Sequence, residues 1–110
     1  MNKITIKMVP KSKVRNQGIG DYEKVKNNLE IYVSKSFGNK NDKMGVAVHE
    51  LVESILANKR KIKFAEIDKF DRKNIKHPDP GSKKDAPYYK EHMFANKIES
   101  LVLKELSKKK

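Results

Sequence analysis

Cysteine and tryptophan are absent from the sequence, and long apolar runs are absent as well. Without cysteine there is no disulfide bond and no thiolate zinc site, so any metal would need His, Asp and Glu as ligands. No apolar run approaches the roughly 20 residues of a membrane-spanning helix, and the start of the chain alternates lysine with apolar residues instead of forming a signal-peptide core. We therefore expect a cytoplasmic protein with no membrane association.

Arginine is also scarce, because it supplies only three of the 26 basic residues behind the formal net charge of +12. Arginine is the residue favoured for bidentate contacts with phosphate and guanine. The lysines are spread along the chain and include a terminal run at residues 108–110. We expect no specific nucleic-acid partner, and weak non-specific binding at low salt stays an alternative that rests on charge alone.

The length of 110 residues is sufficient for one domain. We assign it to residues 1–107, with residues 108–110 as a basic disordered tail. Alternating β-branched residues predict strands near residues 2–9, 22–25 and 29–34. Apolar residues at helical spacing predict helices at about residues 43–58, 63–72 and 86–106, with Asn41 or Asp42 as the first N-cap and Pro87 in the first turn of the last helix. This order of strands and then helices predicts an α+β fold, with the helices on one face of a small antiparallel sheet.

The first predicted helix carries polar residues beside its apolar side. On a helical wheel, His49 and Glu53 lie together at the edge of the apolar arc, and Glu50 lies further round. Buried carboxylates require a partner, a proton or a metal. The arc that we expect to face the core consists of Met44, Val48, Leu51, Val52, Ile55 and Leu56.

The last predicted helix repeats this pattern. His92 and Glu99 lie at the edge of its apolar stripe, and Glu91 falls within the stripe. If the two helices pack together, His49, Glu53, His92 and one of Glu91 or Glu99 converge, which gives the nitrogen and oxygen ligands that Zn2+ accepts. A local ion pair between a histidine and a glutamate is the alternative for each helix taken alone. The apolar stripe consists of Phe94, Ala95, Ile98, Leu101 and Val102.

The segment His49-Glu50-Leu51-Val52-Glu53 resembles the HExxH helix of the zincin metallopeptidases, with Glu53 in the place of the second histidine. The predicted strand at residues 29–34, followed by the motif helix and a later helix, resembles the minimal zincin core. The pair AVHELVES and DAPYYKEHMFANKIESLVL also looks similar to small uncharacterised bacterial and phage proteins, in which an HEL-x-E helix accompanies a PY-x-x-EH-x-x-A-x-x-IE helix. This second resemblance covers roughly residues 20–106.

The zincin resemblance implies a role for individual residues. It makes His49 and Glu53 metal ligands, with His92 as the candidate third ligand, and Glu50 the general base that takes a proton from the attacking water. Tyr88 or Tyr89 is a candidate hydrogen-bond donor to a developing oxyanion. Asp68 and Asp71 are candidates to orient a ligand histidine.

Four functions remain open on the sequence. The first is a zinc-dependent hydrolase of peptide or amide bonds, or a degenerate relative of one, with a peptide or protein substrate. The second is a non-catalytic interaction protein of phage or mobile-element origin with the same fold. The third is a two-metal site built from Glu50, Glu53, Glu91 and Glu99 with the two histidines. The fourth is the weak nucleic-acid binding already described.

Overall fold

Three strands form one mixed sheet in the computed structural model, which describes residues 2–108 except for the side chain of Gln17. The strands are β1 (Lys3–Val9), β2 (Gly20–Val25) and β3 (Asn28–Ser34), arranged in the order β1-β3-β2. The central strand β3 carries the most completely buried side chains, because its alternating residues Leu29, Ile31 and Val33 have no exposed surface. The strand predicted near residues 22–25 is β2, which begins two residues earlier than predicted, at Gly20.

The prediction of an antiparallel sheet is wrong for β1. Strand β1 pairs in parallel with β3, and only β2 and β3 form an antiparallel hairpin. The chain between β1 and β2 contains two 3-10 turns, Lys11–Lys13 and Arg15–Gln17. This connection lets β3 lie between the other two strands, where both of its edges are hydrogen-bonded and its apolar residues are covered best.

Three helices follow the sheet, so the α+β class is confirmed. They are α1 (Lys40–Lys59), α2 (Phe64–Lys73) and α3 (Tyr89–Leu106), with a 3-10 turn at Pro80–Ser82 before α3. Helix α1 begins earlier than predicted because Asn39, and neither Asn41 nor Asp42, is its N-cap. Helix α3 begins later than predicted, which leaves Pro87 outside it. Among residues 2–108, no helix combines the length and apolar character needed to cross a bilayer.

The buried side of α1 is its polar side. His49, Glu50 and Glu53 are buried, whereas Met44 and Ile55 from the predicted core arc are 36% and 43% exposed. The prediction of which side faces the core is therefore wrong for these two apolar residues. Small residues at Gly45, Ala47, Ser54 and Ala57 are buried on the same helix and allow close approach of the sheet and α3.

Helix α3 shows the same inversion. Its buried residues are Glu91, His92 and Ala95, whereas Phe94 and Leu101 from the predicted apolar stripe are 48% and 54% exposed. Helices α1 and α3 pack tightly at Gly45, where an added Cβ would lie 2.9 Å from Leu103 Cδ2. The two helices thus bring their polar sides together.

The N-cap of α1 can be tested against the residue that the sequence suggested. The Asn39 side chain accepts a hydrogen bond from the Asp42 backbone amide at 2.9 Å, and the Asp42 carboxylate accepts one from the Asn39 backbone amide at 3.0 Å. We expect Asn39→Ala to lower the free energy of unfolding by about 1 kcal/mol, measured by urea titration. The matched control Asn41→Ala should change it by less than about 0.5 kcal/mol. Equal losses in the two variants would contradict the assigned cap.

Candidate metal centre

A cavity of about 410 Å³ opens between β2, the three helices and the loop around Pro80. Helix α1 contributes His49, Glu50 and Glu53 to its wall, and α3 contributes His92 and Glu99. These side chains meet because α1 and α3 pack with their polar sides facing each other. The cavity therefore collects the polar residues that the two helical patterns singled out.

Glu53 lies at the centre of this group. Its Oε2 atom is 3.0 Å from His49 Nε2 and 2.7 Å from His92 Nδ1. The rings of the two histidines are nearly perpendicular, with their centroids 4.7 Å apart. One donor atom from each of the three residues lies within 4.8 Å of the others, and all three residues are buried. In the described part of the chain, this is the one group of His, Asp and Glu residues placed so that it could hold a metal ion.

A further side chain lies close to the second polar atom of each of these three residues, the atom that points away from the centre of the group. Tyr22 donates its hydroxyl to Glu53 Oε1 at 2.8 Å. His92 Nε2 lies 3.0 Å from Asp79 Oδ1. His49 Nδ1 lies 3.0 Å from Glu99 Oε1, although the angle of this contact is outside hydrogen-bond geometry.

Two glycines allow the backbone to approach these side chains. An added Cβ at Gly81 would lie 2.6 Å from His92 Cγ, so the turn at Pro80–Ser82 rests directly on the imidazole ring. An added Cβ at Gly20 would lie 2.6 Å from Val46 Cγ1 and 3.0 Å from Glu50 Cγ. Strand β2 therefore confines Glu50 from the sheet side.

The electrostatics of the group couple the histidines to the carboxylates. Burial alone would lower the pKa of His49, but Glu53 and Glu99 outweigh it and raise the pKa to about 10. Burial likewise opposes the effect of Asp79 and Glu53 on His92, whose pKa is raised to about 9. Burial also raises the pKa of Glu50 well above its ordinary value, and the neighbouring Glu53 adds to this effect.

The donor set fits a divalent metal ion. Ligand atoms around a tetrahedral zinc lie about 3.4 Å apart when the metal–ligand distances are about 2.1 Å. The contacts of Glu53 Oε2 at 3.0 and 2.7 Å are shorter than this, and all three donor atoms lie within 4.8 Å of one another, so the group is near the size of such a site. Ligand histidines commonly place their second nitrogen against a carboxylate, as His92 and His49 do with Asp79 and Glu99.

The other candidate residues from the sequence have different surroundings. Glu50 Oε2 is 3.6 Å from His49 Nε2 and lines the cavity. Glu91 is turned away, because its carboxylate accepts a hydrogen bond from Arg60 at 2.5 Å. Of the two acidic candidates on α3, Glu99 is thus the one beside the histidines.

The two tyrosines also differ. Tyr88 is buried, lines the cavity and donates its hydroxyl to Asp71. Tyr89 packs against the apolar core and does not line this cavity. The Tyr88 ring meets the His92 ring edge to face, with the centroids 5.9 Å apart.

Sequence reasoning missed Asp79 and Tyr22. It named Asp68 and Asp71 as candidates to orient a ligand histidine, whereas Asp79 and Glu99 occupy those positions. Asp79 lies in the proline-rich loop before α3, where no periodicity marks it. The sequence contains one indication of Asp79, the loop Pro78-Asp79-Pro80-Gly81. In this loop a glycine lies two residues after Asp79, where the backbone comes closest to His92.

Comparison of the chain with protein-family models, with curated proteins and with solved structures gave no match. The fold and the group around Glu53 are therefore described from this structure alone.

The raised histidine pKa values predict how the stability of the metal-free protein depends on pH. Stability from a group with a raised folded-state pKa is fully present below its unfolded-state value, about 6.5 for histidine, and is lost as the pH rises through the folded-state values of about 9 and 10. We expect the urea midpoint of chelator-treated protein to fall between about pH 7 and 9, below the range in which lysines titrate.

The control for this prediction is Glu66→Gln. Glu66 is an exposed carboxylate on α2 that does not line the cavity, so the variant should keep the same slope. A midpoint that stays level or rises over this range in the wild-type protein would contradict the charged histidine network.

Proposed function

We propose that this chain binds one divalent metal ion, most suitably zinc, and uses it to hydrolyse peptide or amide bonds. The observation that carries the proposal is the convergence of the three donors, with further side chains behind them. Glu53, His49 and His92 meet, Tyr22 and Asp79 hydrogen-bond the second polar atoms of Glu53 and His92, and Glu99 Oε1 lies 3.0 Å from His49 Nδ1. Such support fixes the orientation of ligands and raises the basicity of histidines, and it is characteristic of metal sites.

The proposed ligands are His49 Nε2, Glu53 Oε2 and His92 Nδ1. Three protein ligands of the nitrogen and oxygen type leave a position open, as in catalytic zinc sites. When bound, a divalent ion supplies positive charge that polarises a carbonyl group and lowers the pKa of water. The chain supplies an open cavity of about 410 Å³ beside the donors, with room for a small part of a substrate.

Glu50 is the proposed general base. Its carboxylate lines the cavity beside the donor set, and Gly20 on β2 lets the sheet pack closely against its side chain. A base in this position takes a proton from the attacking water and passes it to the leaving amine. Tyr88 is a poorer candidate for an oxyanion donor, because its hydroxyl is already used by Asp71.

The alternative is a metal-free interaction protein, and one observation favours it. The histidines and carboxylates can balance one another without an ion, since Glu53 already contacts both rings. A two-metal site has less support, because Glu91 is engaged by Arg60 and the convergent group contains three residues. Metal content separates these alternatives.

The metal is tested by elemental mass spectrometry on tag-free protein that is purified without chelators and dialysed. We expect about one zinc per chain in the wild type and almost none in His49→Ala, which loses a donor. Asp79→Asn should retain the three donors but bind zinc about 10- to 100-fold more weakly, because the charge behind His92 is removed.

The matched control is Glu66→Gln, which removes an exposed carboxylate outside the cavity and should retain the wild-type zinc content. Circular dichroism checks that each variant is folded. Wild-type protein that neither contains zinc nor binds it on titration would sink the proposed site, as would an equal loss in Glu66→Gln.

The chemistry is tested with Glu50→Gln and a panel of quenched fluorogenic peptides. We expect the variant to keep its zinc and to lose about 100-fold or more in kcat/KM, because a positioned general base contributes about that much. Glu66→Gln, an exposed carboxylate on α2, is the matched control and should keep full activity. Equal activity in Glu50→Gln and wild type would exclude Glu50 as the base.

A further inference from the structure

The cavity is acidic although the protein is strongly basic. Seven of the 14 acidic residues line it, whereas Arg15 is the only lysine or arginine of residues 2–108 that does so. Four of the seven belong to the group already described, namely Glu50, Glu53, Asp79 and Glu99. Seven carboxylates against one guanidinium and a bound dication would still leave the lining formally negative. A narrow acidic cavity concentrates its field and attracts cations.

The other three carboxylates lie towards α2, and two of them already have cationic partners. Asp21 binds Arg15 at 2.6 Å. Asp68 lies 3.5 Å from Arg15 and 3.3 Å from Arg72. Asp71 differs, because no lysine or arginine of residues 2–108 lies within ion-pair distance and its hydrogen bond comes from Tyr88.

Helix α2 presents an apolar and then an acidic surface to this part of the cavity. Phe64, Ile67, Asp68 and Asp71 follow one another at helical spacing, and all four line the cavity. They span about 10 Å along the helix axis. A side chain with an apolar stem and a cationic end can pack its stem on the half-buried Phe64 and direct its charge to Asp71.

Tyr88 connects Asp71 with the donor group. Its hydroxyl reaches Asp71, and its ring packs edge to face on His92. Asp71 is therefore separated from the proposed metal ligand by one tyrosine side chain. This separation suits a substrate whose backbone lies at the metal and whose side chain extends to α2.

A second observation indicates that the cavity takes a ligand. Glu50 is only 9% exposed and lines the cavity, yet within the described residues its carboxylate makes no hydrogen bond. The one cationic group within ion-pair distance of it there is the His49 ring, at 3.6 Å. Its oxygen atoms are not among the fully buried polar atoms without a partner, so they face the open space of the cavity, where a ligand can donate a hydrogen bond to them.

From these observations we infer that the cavity recognises a basic side chain, lysine or arginine, with Asp71 as the residue that binds its cationic end. The inference names the substrate class of the proposed hydrolase and in that sense rests on the proposed function. Burial raises the pKa of Asp71 to about 6, and the negative charge of Glu53 contributes to the rise. A cation beside Asp71 would offset this repulsion.

Binding is measured by isothermal titration with three matched probes, namely the N-acetyl methylamides of lysine, arginine and norleucine. Norleucine has the lysine stem without the ammonium group. We expect at least one basic probe to bind the wild type about tenfold or more tightly than norleucine does. Asp71→Asn should lose this preference, because it can still accept the Tyr88 hydroxyl but has no charge.

Glu66→Gln is the matched control, since it removes an exposed charge from the same helix outside the cavity, and it should keep the preference. Three results would overturn the inference: norleucine binding as tightly as both basic probes, a preference that survives in Asp71→Asn, or an equal loss in Glu66→Gln. Unfolding midpoints establish that the variants are folded.

The titrations are repeated with zinc-loaded protein and with the His49→Ala variant. A preference for the basic probes in wild-type protein that neither contains nor binds zinc would uphold this inference and refute the proposed hydrolase. Zinc-dependent peptide cleavage with no preference for basic residues would refute the inference and uphold the hydrolase. The two proposals therefore fail separately.

Discussion

The buried carboxylate of Glu53 joins the main parts of this structure. It contacts His49 on its own helix, His92 on α3 and Tyr22 on β2. An unpaired carboxylate in this position would cost several kcal/mol, so the sheet and both helices must supply their partners at once. The polar group is thus part of the core, and the small residues of α1 serve to bring the other elements within reach of it.

The sequence predicted the components of the site better than its orientation. The four-residue spacing of His49 and Glu53 and the matching His92 were sufficient to expect convergence. Periodicity also suggested that the apolar arc of α1 faces inward, yet Met44 and Ile55 are largely outside. A helical wheel shows which residues share one side of a helix. It does not show that charged residues on two helices can pair with one another, and this pairing is what allows the polar side of α1 to be buried.

The limits on the fold prediction have a similar origin. Alternation marked the strands because it is a local property, but strand direction depends on partners far along the chain, and the parallel pairing of β1 with β3 was missed. The start of α1 was missed by three residues because Asn39, Asn41 and Asp42 are all acceptable caps, and only the capping box selects among them. Asp79 was missed because its position beside His92 depends on the close approach of Gly81 to that ring, a tertiary contact that no local sequence pattern indicates.

The position of β1 has a consequence for the order in which the chain assembles. Strands β2 and β3 are joined by a two-residue connection, whereas β1 pairs residues 25 positions apart, such as Lys3 with Asn28. Closing the longer loop costs more chain entropy, so the hairpin is expected to form before β1 is added. None of the residues of β1 lines the cavity. The contacts around Glu53 therefore depend on the hairpin and the helices, and none of them requires the first strand to be in place.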